Sequence, residues 1–170
     1  MIKKTVLGLG LGIAMLGMAV AAPSADKARQ KFIMEAIEGN LSEVQVGKLA
    51  QDKSMDDGVR SFGDMLVKDH SAANEKATEV ANAIGVTPPT EPNSKQKAIY
   101  DKLSKLSGSA FDREFAKMMV DDHKKDIKDF EKEAKSQNQQ VAAFAKDTLP
   151  TLHKHLDTAE SLAKAKTASK

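Results

Sequence analysis

Phe62-Gly-Asp-Met-Leu-Val-Lys-Asp-His70 returns later in the chain as Phe115-Ala-Lys-Met-Met-Val-Asp-Asp-His123, with Phe, Met, Val, Asp and His at one constant offset. Two equivalent helices are the simplest reading. Residues four apart share a helix face, so Phe62, Leu66 and His70 line one stripe, and Phe115, Met119 and His123 line its copy. Each histidine ends an apolar ladder.

Working outward, the stretch before the first copy carries Phe32, Ala36, Gly39, Glu43, Val46 and Ala50 at alternating steps of four and three, with no proline between Asp26 and Lys53. This is a core-facing helical stripe with a carboxylate inside it. Gly39 and Gly47 weaken that helix, and either close approach of a neighbouring helix compensates or the helix is locally loosened. Ser54-Met-Asp-Asp-Gly58 reads as a short connection to the second helix, which runs to a left-handed glycine at Gly85. Val86-Thr-Pro-Pro-Thr-Glu-Pro92 cannot continue it.

Beyond that crossing, Asn93 with Gln96 forms a capping-box pattern that starts a short helix, and Ser109 with Asp112 forms a second that restarts the chain after Gly108. The third long helix carries the second copy of the repeat. The fourth carries Val141, Ala145, Thr148, Leu152, His155, Ala159 and Leu162, with Pro150 expected to kink or restart it and Lys164 to Lys170 expected to fray. The fold class is all-α, with short turns joining helices one to two and three to four.

At the amino end, Lys3 and Lys4 precede an uncharged apolar run from Val6 to Val20 and an Ala19-x-Ala21 end, the layout of a secretory signal. Residues 1–21 are therefore read as a signal peptide, and 22–170 as one domain with its core over about 26–163. The run is short and glycine-broken for a bilayer span, so the mature chain is expected to have no transmembrane span and to be periplasmic. Cysteine is absent, which excludes disulfides, thiolate ligands and a nucleophilic thiol. Removing Lys3 and Lys4 from 26 basic residues balances the 24 acidic ones, so nucleic acid is not an expected partner.

Glu43, His70, His123 and His155 lie on stripes that are otherwise apolar; the fourth histidine, His153, does not. With the two short turns placed at one end, a rise of about 1.5 Å per residue puts Glu43 about 17 Å deep, His70 and His123 about 22 Å, and His155 about 26 Å. One polar residue per helix thus arrives at nearly one level. Such a set is how helical bundles hold a transition metal, zinc, copper or iron. The alternative is a metal-free Glu and His network, with Asp69, Asp122 and Asp126 as ordinary partners. Met65, Met118 and Met119 offer thioethers for copper, although methionine usually fills cores. Val67 and Val120 stand where a di-iron enzyme carries carboxylates, three residues before each histidine. With no nucleophile elbow or phosphate loop either, an enzyme is the weaker reading.

Glu43-Val-Gln-Val-Gly-Lys-Leu-Ala50, Met65-Leu-Val-Lys-Asp-His70, Leu106-Ser-Gly-Ser-Ala-Phe-Asp112, Met119-Val-Asp-Asp-His123 and Leu149-Pro-Thr-Leu-His-Lys-His155 together resemble a secreted bacterial ferritin-like family. That family carries a domain-of-unknown-function label and is often called predicted outer membrane protein. The resemblance covers about Lys31 to Leu162. It implies a ferritin-like up-down four-helix bundle in the periplasm or cell envelope, with a short extra helix in the crossover between helices two and three, and brings no established activity. An envelope protein or a second copy of the chain would be the partner, and the competing role is a structural or protein-interaction bundle without a ligand. Nothing alternates as a barrel strand must.

Overall fold

The computed structural model describes residues 23–168, with side chains over 26–166. The signal peptide expected over 1–21 lies outside these residues. Five helices follow in order, α1 (Pro23–Lys53), α2 (Asp57–Ala83), α3 (Ser94–Ser104), α4 (Gly108–Glu133) and α5 (Gln139–Ala168), and there is no strand among the described residues. None of the described helices is long and apolar enough to cross a membrane.

Local chemistry sets the helix ends. Asp56 caps α2 by accepting from the Val59 N–H at 3.0 Å. Gly85, at φ 73°, closes it with Val86 N–H donating to the Ala81 carbonyl at 2.8 Å and Gly85 N–H to that of Asn82 at 3.2 Å, the paired bonds of a Schellman end. The Asn93 and Gln96 capping box of α3 is formed in both directions.

Three expectations about helix ends and breaks need correction. The Ser109 and Asp112 box does not form. Ser107 holds the cap position, Gly108 opens α4 at φ 53°, and buried Asp112 instead accepts from Ser54 Oγ at 2.6 Å. Pro150 does not restart the fourth long helix, because α5 runs through it with Pro150 on the exposed face. Nor does the tail fray at Lys164, since α5 continues to Ala168 with Lys166 paired to Asp56 and Asp112.

The long helices pack α1 on α2 and α4 on α5, and contacts of α2 with α5 and α1 with α4 close the ring, while α3 lies against α1 and α4. Ser54 and Asp56, in the first turn, touch Asp112 at the start of α4 and Lys166 near the end of α5. Phe32, near the start of α1, touches Phe130 and Phe144 on either side of the second turn. The two short turns therefore lie at opposite ends, not at one end as expected. The crossover carries the chain back along the stack before α4 begins, so α1 runs with α5 and α2 with α4. The expected common level survives because His70, His123 and His155 sit near the midpoints of α2, α4 and α5. Counting from either end then gives nearly the same depth.

The core is divided in two. Phe32, Ile37, Phe130 and Phe144 belong to one apolar cluster, and Phe62, Leu66, Phe115 and Met119 to the other. Glu43, His70, His123 and His155 fall between them along the helices and are all buried.

Candidate metal centre

Each of the four long helices contributes one residue to this polar layer, as the stripes require. His70 Nε2 stands 3.0 Å from Glu43 Oε2, His123 Nε2 stands 3.7 Å from the same oxygen, and His123 Nε2 lies 3.3 Å from His155 Nδ1. The three imidazoles each offer a nitrogen within 4.8 Å of the other two. His153, off the stripe, is exposed.

The outer ring nitrogens decide what the inner ones can do. His70 Nδ1–H donates to Asn40 Oδ1 at 2.9 Å, His123 Nδ1–H to the Met119 carbonyl at 2.9 Å, and His155 Nε2–H to Asp69 Oδ2 at 3.0 Å. In the neutral form, with the proton held outside, each imidazole turns a lone pair inward. The three lone pairs then converge in the buried core, with Glu43 Oε2 beside those of His70 and His123. The 3.0 Å approach of His70 Nε2 to Glu43 Oε2 is not aligned as a hydrogen bond, and neither atom has such a partner elsewhere. Four donors placed 2.0–2.2 Å from a tetrahedral ion stand about 3.3–3.6 Å apart, a spacing that three of the six pairs approach at 3.0, 3.3 and 3.7 Å.

A family model described as domain of unknown function, DUF4142, matches residues 14–162. The chain belongs to the DUF4142 family. No curated protein matches it. Among solved structures, a DUF305 fragment from Deinococcus radiodurans is similar to this DUF4142 chain with a TM-score of 0.66 and 17% identity, over 85% of this chain and 98% of the other. At that identity the likeness concerns the fold.

The electrostatics of the DUF4142 site follow from burial and from the neighbours. Burial alone would raise the Glu43 carboxyl, but His123 and His70 beside it pull it down to about 2. Burial lowers the His70 imidazole, but the charge and hydrogen bond of Glu43 together with the charges of Asp126 and Asp69 outweigh this and raise it. Burial and the neighbouring His70 lower His155 to about 4.

Of the remaining expected residues, only Asp69 partners a histidine, and it does so across to α5 rather than with its neighbour His70. Asp122 and Asp126 face Glu43, their carboxylate oxygens and its own lying within 4.8 Å. Met119 contributes its backbone carbonyl to His123 while its side chain packs in the apolar cluster, with Met65 and Met118 half-buried at that cluster's edge. Asn40 escaped the sequence reading. The available signal was a polar residue one helical turn before Glu43, on the same face.

Proposed function

We propose that this protein is an exported, ferritin-like four-helix bundle that binds one transition-metal ion through Glu43, His70, His123 and His155. The observation that carries the reading is the set of three outer N–H groups anchored to Asn40, Met119 and Asp69, which turns three lone pairs into one layer beside Glu43. Outer partners of this kind fix the tautomer and aim of metal-bound histidines. Imidazole and carboxylate donors suit zinc, copper or iron. Four protein donors would complete a tetrahedral shell and keep no position for substrate, which favours holding or buffering an ion over catalysis. The charged start, apolar run and Ala19-x-Ala21 end of the sequence support export, and the ring of four long helices with a full-length crossover supports the ferritin-like arrangement.

A second reading rests on the 3.0 Å contact between His70 and Glu43. With His70 protonated, the two form a buried ion pair that fixes helix register without any metal. Unfolding temperature separates the readings, because an ion that binds only the native state stabilises it by mass action. In the metal reading, zinc raises the midpoint of wild type and chelator lowers it, His70→Ala and His123→Ala lose stoichiometric zinc, and His153→Ala keeps it. A wild-type midpoint indifferent to zinc and chelator would leave the ion pair as the explanation.

A further inference from the structure

The three imidazoles of the layer are not equally enclosed. The side chains of His123 and His155 have no exposed surface, whereas that of His70 is 5% exposed. His70 borders a narrow opening of about 40 Å³ between α1, α4 and α5. Buried His70 and Asn40 end it, and Ala36, Phe130 and Thr148 form its sides. The carboxylates of Glu35, Asp126 and Asp129 stand nearer the surface, and the ammonium of Lys125, on the same opening, is bonded to Asp129 at 2.9 Å. The mouth is therefore net negative, which draws cations toward it.

A larger cleft of about 460 Å³ lies between α1, α3 and α4, but it meets the layer only at Glu43, which is 2% exposed, and none of the three histidines lines it. An ion arriving there would have to pass a buried carboxylate before it met any imidazole. Through the narrow opening it meets His70 at once.

We propose that the narrow opening between α1, α4 and α5 is the route by which the transition-metal ion enters and leaves the layer, with His70 the first donor it meets. The route rests on the metal-binding reading of that layer. Its volume of about 40 Å³ has room for about one or two waters, far too little for an ion with its full hydration shell. The ion must shed water as it passes, and the imidazoles replace what it loses. The rate of exchange is then set by the width of this opening and not by the affinity of the four donors alone.

Zinc-loaded full chain mixed with an excess of chromophoric chelator gives the release rate directly. Ala36→Leu crowds the opening and should slow release by about tenfold or more while the chain still takes one zinc. Thr148→Ala widens the opening and should speed release with the same stoichiometry. Ser42→Leu, on the cleft, should release zinc at the wild-type rate. Thermal unfolding in chelator verifies that each variant is folded, and Thr148→Ala, which adds no atoms, keeps the comparison open if Ala36→Leu does not fold. Release that is indifferent to both changes in the opening, or slowed only by Ser42→Leu, overturns the route and leaves the metal site standing. A wild type that takes up no zinc removes the metal site and the route together.

Discussion

Gly47 and Gly63 face each other across the contact of α1 with α2, so closely that a Cβ on Gly47 would lie 2.7 Å from the Gly63 carbonyl oxygen, and a Cβ on Gly63 would lie 2.6 Å from that of Gly47. Backbone oxygens cannot step aside as a side-chain tip can. Gly63→Ala should therefore lower stability by about 1–3 kcal/mol, the usual range for overpacking. Gly39, elsewhere on α1, has nothing within 4 Å of its added Cβ, so Gly39→Ala should instead raise stability by up to about 1 kcal/mol through helix propensity. Denaturant unfolding of the two variants checks the pair. Equal midpoints would mean that the helices separate at no cost.

The same two positions show how far the sequence could be read. Gly39 and Gly47 look alike in the chain, each a helix-weakening residue on or beside one apolar stripe, and only the facing Gly63 makes Gly47 a close-approach site. That partner lies on another helix, and periodicity within one helix does not report it. His70, His123 and His155 were legible because 3.6-residue spacing alone puts them on core faces. Which nitrogen each turns inward was not, since it depends on Asn40, Met119 and Asp69, two of them on other helices. Asp112 followed a local rule on paper, three residues after a serine. A buried bond from Ser54, in the first turn, claims it instead.

Asp69 touches no candidate ion and should nevertheless govern affinity. Its carboxylate holds the His155 Nε2 proton at 3.0 Å, which leaves Nδ1 free to face His123. Loss of such a partner typically weakens metal binding by about 10–100-fold. Asp69→Ala should shift zinc affinity by that order in competition with a chromophoric chelator, yet still bind one ion per chain at saturation. Undiminished affinity in Asp69→Ala would show that packing alone orients His155.

The carboxylates beside Glu43 give a pH dependence whose sign can be worked out. Burial, then the charges of Glu43 and Asp126, raise Asp122 to about 7 from an ordinary 3.8; burial and Glu43 raise Asp126 to about 6. Between about pH 4 and pH 7 the folded chain holds a proton on Asp122 that the unfolded chain has released, so this group's contribution to stability falls as pH rises through that window. Glu43 works in the opposite sense at lower pH, since its depressed value favours the fold above 4.5 and the benefit is lost as pH falls toward 2. In chelator, Asp122→Asn should unfold several degrees above wild type at pH 8, where the wild-type carboxylate is ionised against its neighbours. At pH 4, where Asp122 is protonated in the fold, the difference should vanish. A midpoint for Asp122→Asn that tracks wild type at both pH values would show that the three carboxylates do not repel one another.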